Sequence, residues 1–152
     1  MKKYKIGFIA GVFDLFHIGH LNILKKAKEQ CEYLIVGVNT DEVVQGYKHK
    51  IPIIPLEERM AIVKAIIYVD QVIPLTSRDK LKAWKTLKFD VIFAGDDWKN
   101  SNLYNNAEME FKEVNVDVVF FSYTKGTSST ILGDILTKML TSQQLEKMNQ
   151  TQ

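Results

Sequence analysis

Cysteine is almost missing from this chain. Cys31 is the only one, which excludes an intrachain disulfide, and no Cys/His cluster with metal-ligand spacing accompanies it. A packing role at a helix end suits it better than a nucleophile's. A charge excess is missing too. Twenty Lys and Arg against eighteen Asp and Glu leave a net +2, no general case for binding nucleic acid or a membrane surface. No apolar run approaches the ~20 residues that span a bilayer. Met1-Lys2-Lys3 and the apolar residues after it mimic a signal peptide. However, Asp14 breaks the run and no clear small-residue cleavage site follows, so a cytoplasmic protein is expected. Repeats, low-complexity tracts and linkers are also lacking. At 152 residues and 46% hydrophobic, the chain reads as one domain over 1–140. A polar, Gln-rich tail at 141–152 is expected to fray.

Five apolar runs alternate with helix-like segments. The runs are Ile6–Ala10, Tyr33–Val38, Gln71–Leu75, Val91–Ala94 and Val118–Phe121. They are continuously apolar rather than alternating, which suits parallel strands covered on both faces. Helices are expected near Gly19–Gln30, Pro55–Ile67, Ser77–Leu87, Ala107–Glu113 and Ser129–Leu140. Pro55 suits a first helical position, with Glu57 and Glu58 complementing the dipole. Trp84 shares a helical face with Leu81 and Leu87 and is expected in the core. This alternation predicts an α/β fold with a doubly wound, Rossmann-like parallel sheet. Ligands of such sheets bind beyond the C-terminal strand ends.

The stretch Gly11-Val12-Phe13-Asp14-Leu15-Phe16-His17-Ile18-Gly19-His20 is such a strand-to-helix turn. Backbone N–H groups and the positive helix end favour an anion there. Gly11 and Gly19 allow close approach. His17 and His20 share a face once the helix has begun. A histidine at a helix start is ordinarily a cap or solvated. Two of them after a buried strand and a Gly-x-Phe-Asp suit contact with phosphate. After the second run comes Asn39-Thr40-Asp41-Glu42, then the basic stretch Gly46-Tyr47-Lys48-His49-Lys50, which is expected to be a flexible loop. Thr127–Thr130 place four hydroxyls around the start of the last helix, where capping and phosphate binding are both served.

Gly-x-Phe-Asp-x-x-His-x-Gly-His resembles the signature of the cytidylyltransferase branch of the nucleotidylyltransferase superfamily. Gly95-Asp96-Asp97-Trp98, Tyr68-Val69-Asp70-Gln71-Val72-Ile73-Pro74 and Thr124–Thr130 narrow the likeness to bacterial glycerol-3-phosphate cytidylyltransferases, over about residues 4–136. The resemblance implies a catalytic set of His17, His20 and Lys50. It implies nucleotide contacts from Gly11, Val12, Phe13, Gly19, Asp97, Thr124, Gly126, Ser128, Ser129 and Thr130. It implies acceptor contacts from Asp14, Asp41, Lys48, Arg59 and Lys80, although Arg59 also suits a structural ion pair. Mg²⁺ would accompany CTP, with no dedicated protein metal site, and the Tyr68–Pro74 run implies a homodimer. The chain departs from the pattern at Ile67 and Tyr123, where those enzymes carry arginine, and at Lys125 and Thr127.

The expected activity is attack of a small phosphomonoester on the α-phosphorus of CTP. With sn-glycerol 3-phosphate the product would be CDP-glycerol, for a wall or capsule polymer. Another polyol or sugar phosphate, adenylyl transfer, and a non-catalytic nucleotide-binding module remain alternatives.

Overall fold

A computed structural model describes residues 2–96, 99, 101–122 and 128–150, with backbone alone over 141–150. Five strands form one parallel sheet: β1 (Tyr4–Gly11), β2 (Cys31–Asn39), β3 (Gln71–Leu75), β4 (Val91–Gly95) and β5 (Asp117–Phe121). Their order is β3-β2-β1-β4-β5. The chain thus winds outward from β1 in one direction, then crosses back to β4 and winds in the other. The reversal between β1 and β4 opens a crevice at their C-terminal ends, where ligands of doubly wound sheets bind. Among the described residues, no helix is long and apolar enough to cross a membrane.

Helices cover both faces of the sheet. Leu24 and Ala27 of α1 (Ile18–Gln30) and Val63 of α3 (Leu56–Lys64) pack with Ile9, Val36 and Phe93 on one face. On the other, α4 (Lys80–Leu87) and α5 (Asn102–Glu113) pack Trp84, Tyr104 and Phe111 with Phe8, Phe89 and Ile92. Each fully buried side chain of this size contributes about 1.5–3 kcal/mol of hydrophobic free energy. β1 lies between two strands, Gly7 facing Leu34 on one side and Val91 on the other. A Cβ at Gly7 would lie 2.6 Å from the Phe93 ring and 2.8 Å from Cys31 Sγ. Glycine here lets those side chains close over the central strand. Cys31 itself is buried, as the C-cap of α1 and the first residue of β2.

Several boundaries differ from expectation; α4 starts three residues later and α5 five residues earlier than expected, and α3 ends at Lys64. The basic stretch after β2 is mostly helix α2 (Asp41–Lys48), leaving only His49 and Lys50 beyond it. Thr40 caps this helix, its Oγ1 accepting from Val43 N, and Val44 is buried. These two contacts outweigh the glycine at 46. Pro55 is the N-cap of α3 rather than its first turn. The last helix, α6 (Ser129–Gln150), continues through most of the expected tail. That segment holds Leu, Glu, Lys, Met and Gln and neither Gly nor Pro, so nothing in it breaks a helix. At one sheet edge, β3 carries Pro74 in register with Val38 of β2.

Candidate active site

The turn between β1 and α1 is held in an unusual conformation. Phe13 and Leu15 both have positive φ, 55° and 49°, a costly state for side chains with a Cβ. Two contacts hold it. The Phe13 ring is buried and packs against His20, centroids 5.4 Å apart. The Asp14 carboxylate accepts backbone N–H bonds from Ile53 (2.8 Å) and Ile54 (2.9 Å). A Cβ on Gly11 would meet the Phe13 ring at 2.8 Å, so that glycine is required by the turn itself.

Both histidines are built into the start of α1. His17 is the N-cap, and its Nδ1 accepts from Gly19 N at 3.0 Å. His20 Nδ1 accepts from His17 N at 3.1 Å, closing a reciprocal capping box. A ring nitrogen that accepts carries no proton, so each neutral imidazole bears its hydrogen on Nε2. The ordinary capping role therefore fixes which edge donates. The rings lie 4.0 Å apart between centroids. Burial, with His17 and Lys48 adding to it, pushes His20 down to about 3. Burial also lowers His17. Near neutral pH the pair is uncharged and each ring carries an Nε2–H donor.

The start of α6 meets this pair. Ser129 Oγ donates to the carbonyl of Asp14 at 2.5 Å and lies 3.4 Å from His20 Nε2. Ser128 caps the helix, its Oγ within 3.5 Å of Ile131 N and its carbonyl accepting from Leu132 N. His17, His20, Ser128, Ser129 and Thr130 thus border one cavity of about 560 Å³. Its floor is formed by Gly11, Ala94 and Gly95 at the ends of β1 and β4. Val12, Phe13, Asp14 and Gly19 also line it, as do Lys48, Lys50 and Lys80. Lys50 reaches Asp134 on α6 (3.4 Å), while Lys48 stands over the Tyr47 ring (5.8 Å). The described lining carries Lys26, Lys48, Lys50, Arg78 and Lys80 against Asp14 and Asp134. A chain of nearly balanced charge thus lines this hole with five cations against two carboxylates.

Two of the expected acceptor contacts do not line this cavity. Arg59 is only 1% exposed and does not line the cavity. Its Nε donates to Ile54 O, and Nη1 donates to Val12 O and Asn39 O, each at 2.8 Å; Nη2 pairs with Asp41. It ties the ends of β1 and β2 to the loop before α3. Asp41 is spent on that guanidinium and likewise does not line the cavity. Asp97, Thr124 and Gly126 lie outside the described residues, as do Tyr123, Lys125 and Thr127. Missed from sequence were Tyr47, Arg78 and Asn39, all lining the cavity. Arg78 stands two residues before Lys80, in the turn that starts α4; that adjacency was the available signal.

A cationic cavity at the switch point of a doubly wound sheet, with neutral imidazole donors and a helix mouth, is a polyphosphate site in kind. The chain belongs to the cytidylyltransferase-like family, whose model matches residues 8–146. It is 34% identical over 127 residues to a glycerol-3-phosphate cytidylyltransferase of Staphylococcus aureus, covering 79% of this chain and 86% of that protein. It is 35% identical over 131 residues to the bifunctional protein HldE of Helicobacter hepaticus. That match takes in 86% of this chain but spans only 26% of HldE. An FAD synthase of Pyrococcus abyssi is 46% identical over 90 residues, 59% of this chain and 61% of that one. Among solved structures, a lipopolysaccharide core biosynthesis protein from Thermoplasma volcanium superposes with a TM-score of 0.68 at 27% identity. It covers 82% of this chain and 99% of that chain.

Proposed function

We propose that the protein transfers a cytidylyl group from CTP to a small phosphomonoester, with sn-glycerol 3-phosphate the leading acceptor. The observation that carries this reading is the meeting of the imidazole pair with the mouth of α6, Ser129 Oγ 3.4 Å from His20 Nε2, in one cavity. A phosphate oxygen of the acceptor attacks the α-phosphorus of CTP. The new P–O bond forms as the α–β bridging bond breaks, and pyrophosphate leaves with that electron pair. The acceptor is already an anion, so no protein nucleophile is needed. The protein's task is to hold two anions together and to stabilise growing charge. His17 and His20 donate from Nε2 to triphosphate oxygens, and Ser128–Thr130 with the α6 dipole hold the phosphate tail. Lys50, on the α6 side, serves the nucleotide, and Lys48, beside Tyr47, serves the acceptor with Lys80. Asp97, Thr124 and Gly126 complete the nucleotide set by resemblance.

Magnesium would enter as a companion of the triphosphate. Among the described residues no three metal-binding side chains gather, and Asp14 spends both carboxylate oxygens on backbone N–H groups. Bound there, the ion would neutralise phosphate charge. A homodimer in the cytoplasm completes the reading.

Likeness to an FAD synthase supports adenylyl transfer as the second reading. Pyrophosphate release with CTP and with ATP, across sn-glycerol 3-phosphate, other polyol phosphates, ethanolamine phosphate and FMN, separates the two. Turnover with CTP and a polyol phosphate is expected. Turnover with ATP alone, or CTP binding without turnover on any acceptor, overturns the proposal.

A further inference from the structure

The imidazole pair and the α6 mouth account for part of the cavity lining. Tyr47 and Lys48 of α2 and Arg78 and Lys80 around the start of α4 supply another part, and its chemistry is also cationic. The Arg78 guanidinium stacks on the Tyr47 ring, 4.0 Å from its centroid. Stacking of this kind engages the guanidinium's face, while its N–H donors lie in the plane, the geometry that grips phosphate by two bonds at once. Lys80, two residues on, is 7% exposed, and burial lowers it to about 8. Between them, Asp79 caps α4, its Oδ1 accepting from Lys82 N at 3.2 Å, and its charge offsets part of that lowering. Ser77 Oγ accepts from Asp79 N at 3.1 Å and fixes the turn. A buried lysine beside an arginine repels it, and a dianion between the two relieves that repulsion.

Resting on the cytidylyl-transfer reading, we infer that Arg78, held on Tyr47, reads the acceptor's phosphate together with Lys80 and determines selection of a doubly charged monoester. The platform is itself held from the end of β2: the Asn39 side chain, 6% exposed, hydrogen-bonds Tyr47.

The test titrates the full chain calorimetrically with CTP, with sn-glycerol 3-phosphate and with inorganic phosphate. Wild type is compared with Arg78→Met, Arg78→Lys and Tyr47→Leu. Arg78→Met is expected to weaken both phosphate probes tenfold or more and to leave CTP within threefold. Arg78→Lys, which keeps the charge without the planar fork, falls between, as does Tyr47→Leu, which removes the platform. Thermal melts of all three variants verify folding. Equal losses for CTP and phosphate place Arg78 at the nucleotide end and overturn the inference. No change for any probe does the same, as does a wild type that binds CTP and neither phosphate probe; that last result leaves the cytidylyl reading standing. A wild type that binds phosphate through Arg78 but binds no CTP keeps this site and removes the cytidylyl reading instead.

Discussion

Replacing Arg59 by methionine removes a guanidinium that four protein groups share. Val12 O, Asn39 O and Ile54 O each lose a donor, and Asp41 loses its ion-pair partner. A buried acceptor left without a donor costs about 1–3 kcal/mol. Three of them set an upper range of roughly 3–9 kcal/mol, reduced because two of the three bonds are only partly buried and Asp41 is partly exposed. Removing one partner of a buried pair typically costs about 3–5 kcal/mol. That range is a large share of the ~5–15 kcal/mol by which a domain is stable. The melting temperature should then fall by about 10 °C or more. Urea denaturation of wild type and Arg59→Met, with unchanged m-value, measures the difference directly. Arg59→Met that loses less than 1 kcal/mol yet raises acceptor KM strongly would refute the structural assignment and restore Arg59 to the substrate.

His20 is neutral in the folded chain and has an ordinary value unfolded. Its contribution to stability is complete above pH 6.5 and lost as pH falls toward 3. Denaturation should show about 2 kcal/mol lost between pH 6.5 and 5, a slope much reduced in His20→Asn; equal slopes in the two proteins contradict the assignment. His20→Ala should fold yet lower turnover by two or more orders of magnitude, the ~2–4 kcal/mol that one charge-stabilising donor supplies, and turnover within a few-fold of wild type removes it from the chemistry. Lys80, held near 8 by burial, is cationic below that pH. Thus kcat/KM for the acceptor should fall above about pH 8, and Lys80→Met should erase that limb. Gly7→Ala forces a Cβ to 2.6 Å from the Phe93 ring and should cost about 1–3 kcal/mol by overpacking, read in urea.

The strands were legible because each is a continuous apolar run between turn residues, and Gln71–Leu75 coincides with β3 residue for residue. The turn at Gly11–His20 was legible because motif, strand and helix agree there. Residue identity alone did not reveal what consumes a charge. Arg59 and Lys80 both read as cations near the starts of helices. One is bonded on all sides by carbonyls and Asp41, and the other lines the cavity. That difference is set by the path of residues 51–55, which carries no periodic signal. Helix α2 was hidden because Gly46 and its neighbouring lysines imitate a loop. Its stability comes from a cap and from Val44, which packs only once the sheet exists. Arg78 escaped notice for a similar reason, since Tyr47, its platform, lies thirty-one positions earlier in the chain.

Pro74 has a consequence at the sheet margin. The carbonyl of Leu75 accepts from Thr40 N, so Leu75 turns its polar backbone atoms inward, toward β2. Backbone direction alternates along a strand, so Pro74 turns its nitrogen outward, and that nitrogen has no hydrogen. The outer border therefore presents a gap where an incoming chain would need a donor. Growth of the sheet by a sixth strand is blocked on that side, so another molecule meeting this border must engage side chains instead of joining the ladder.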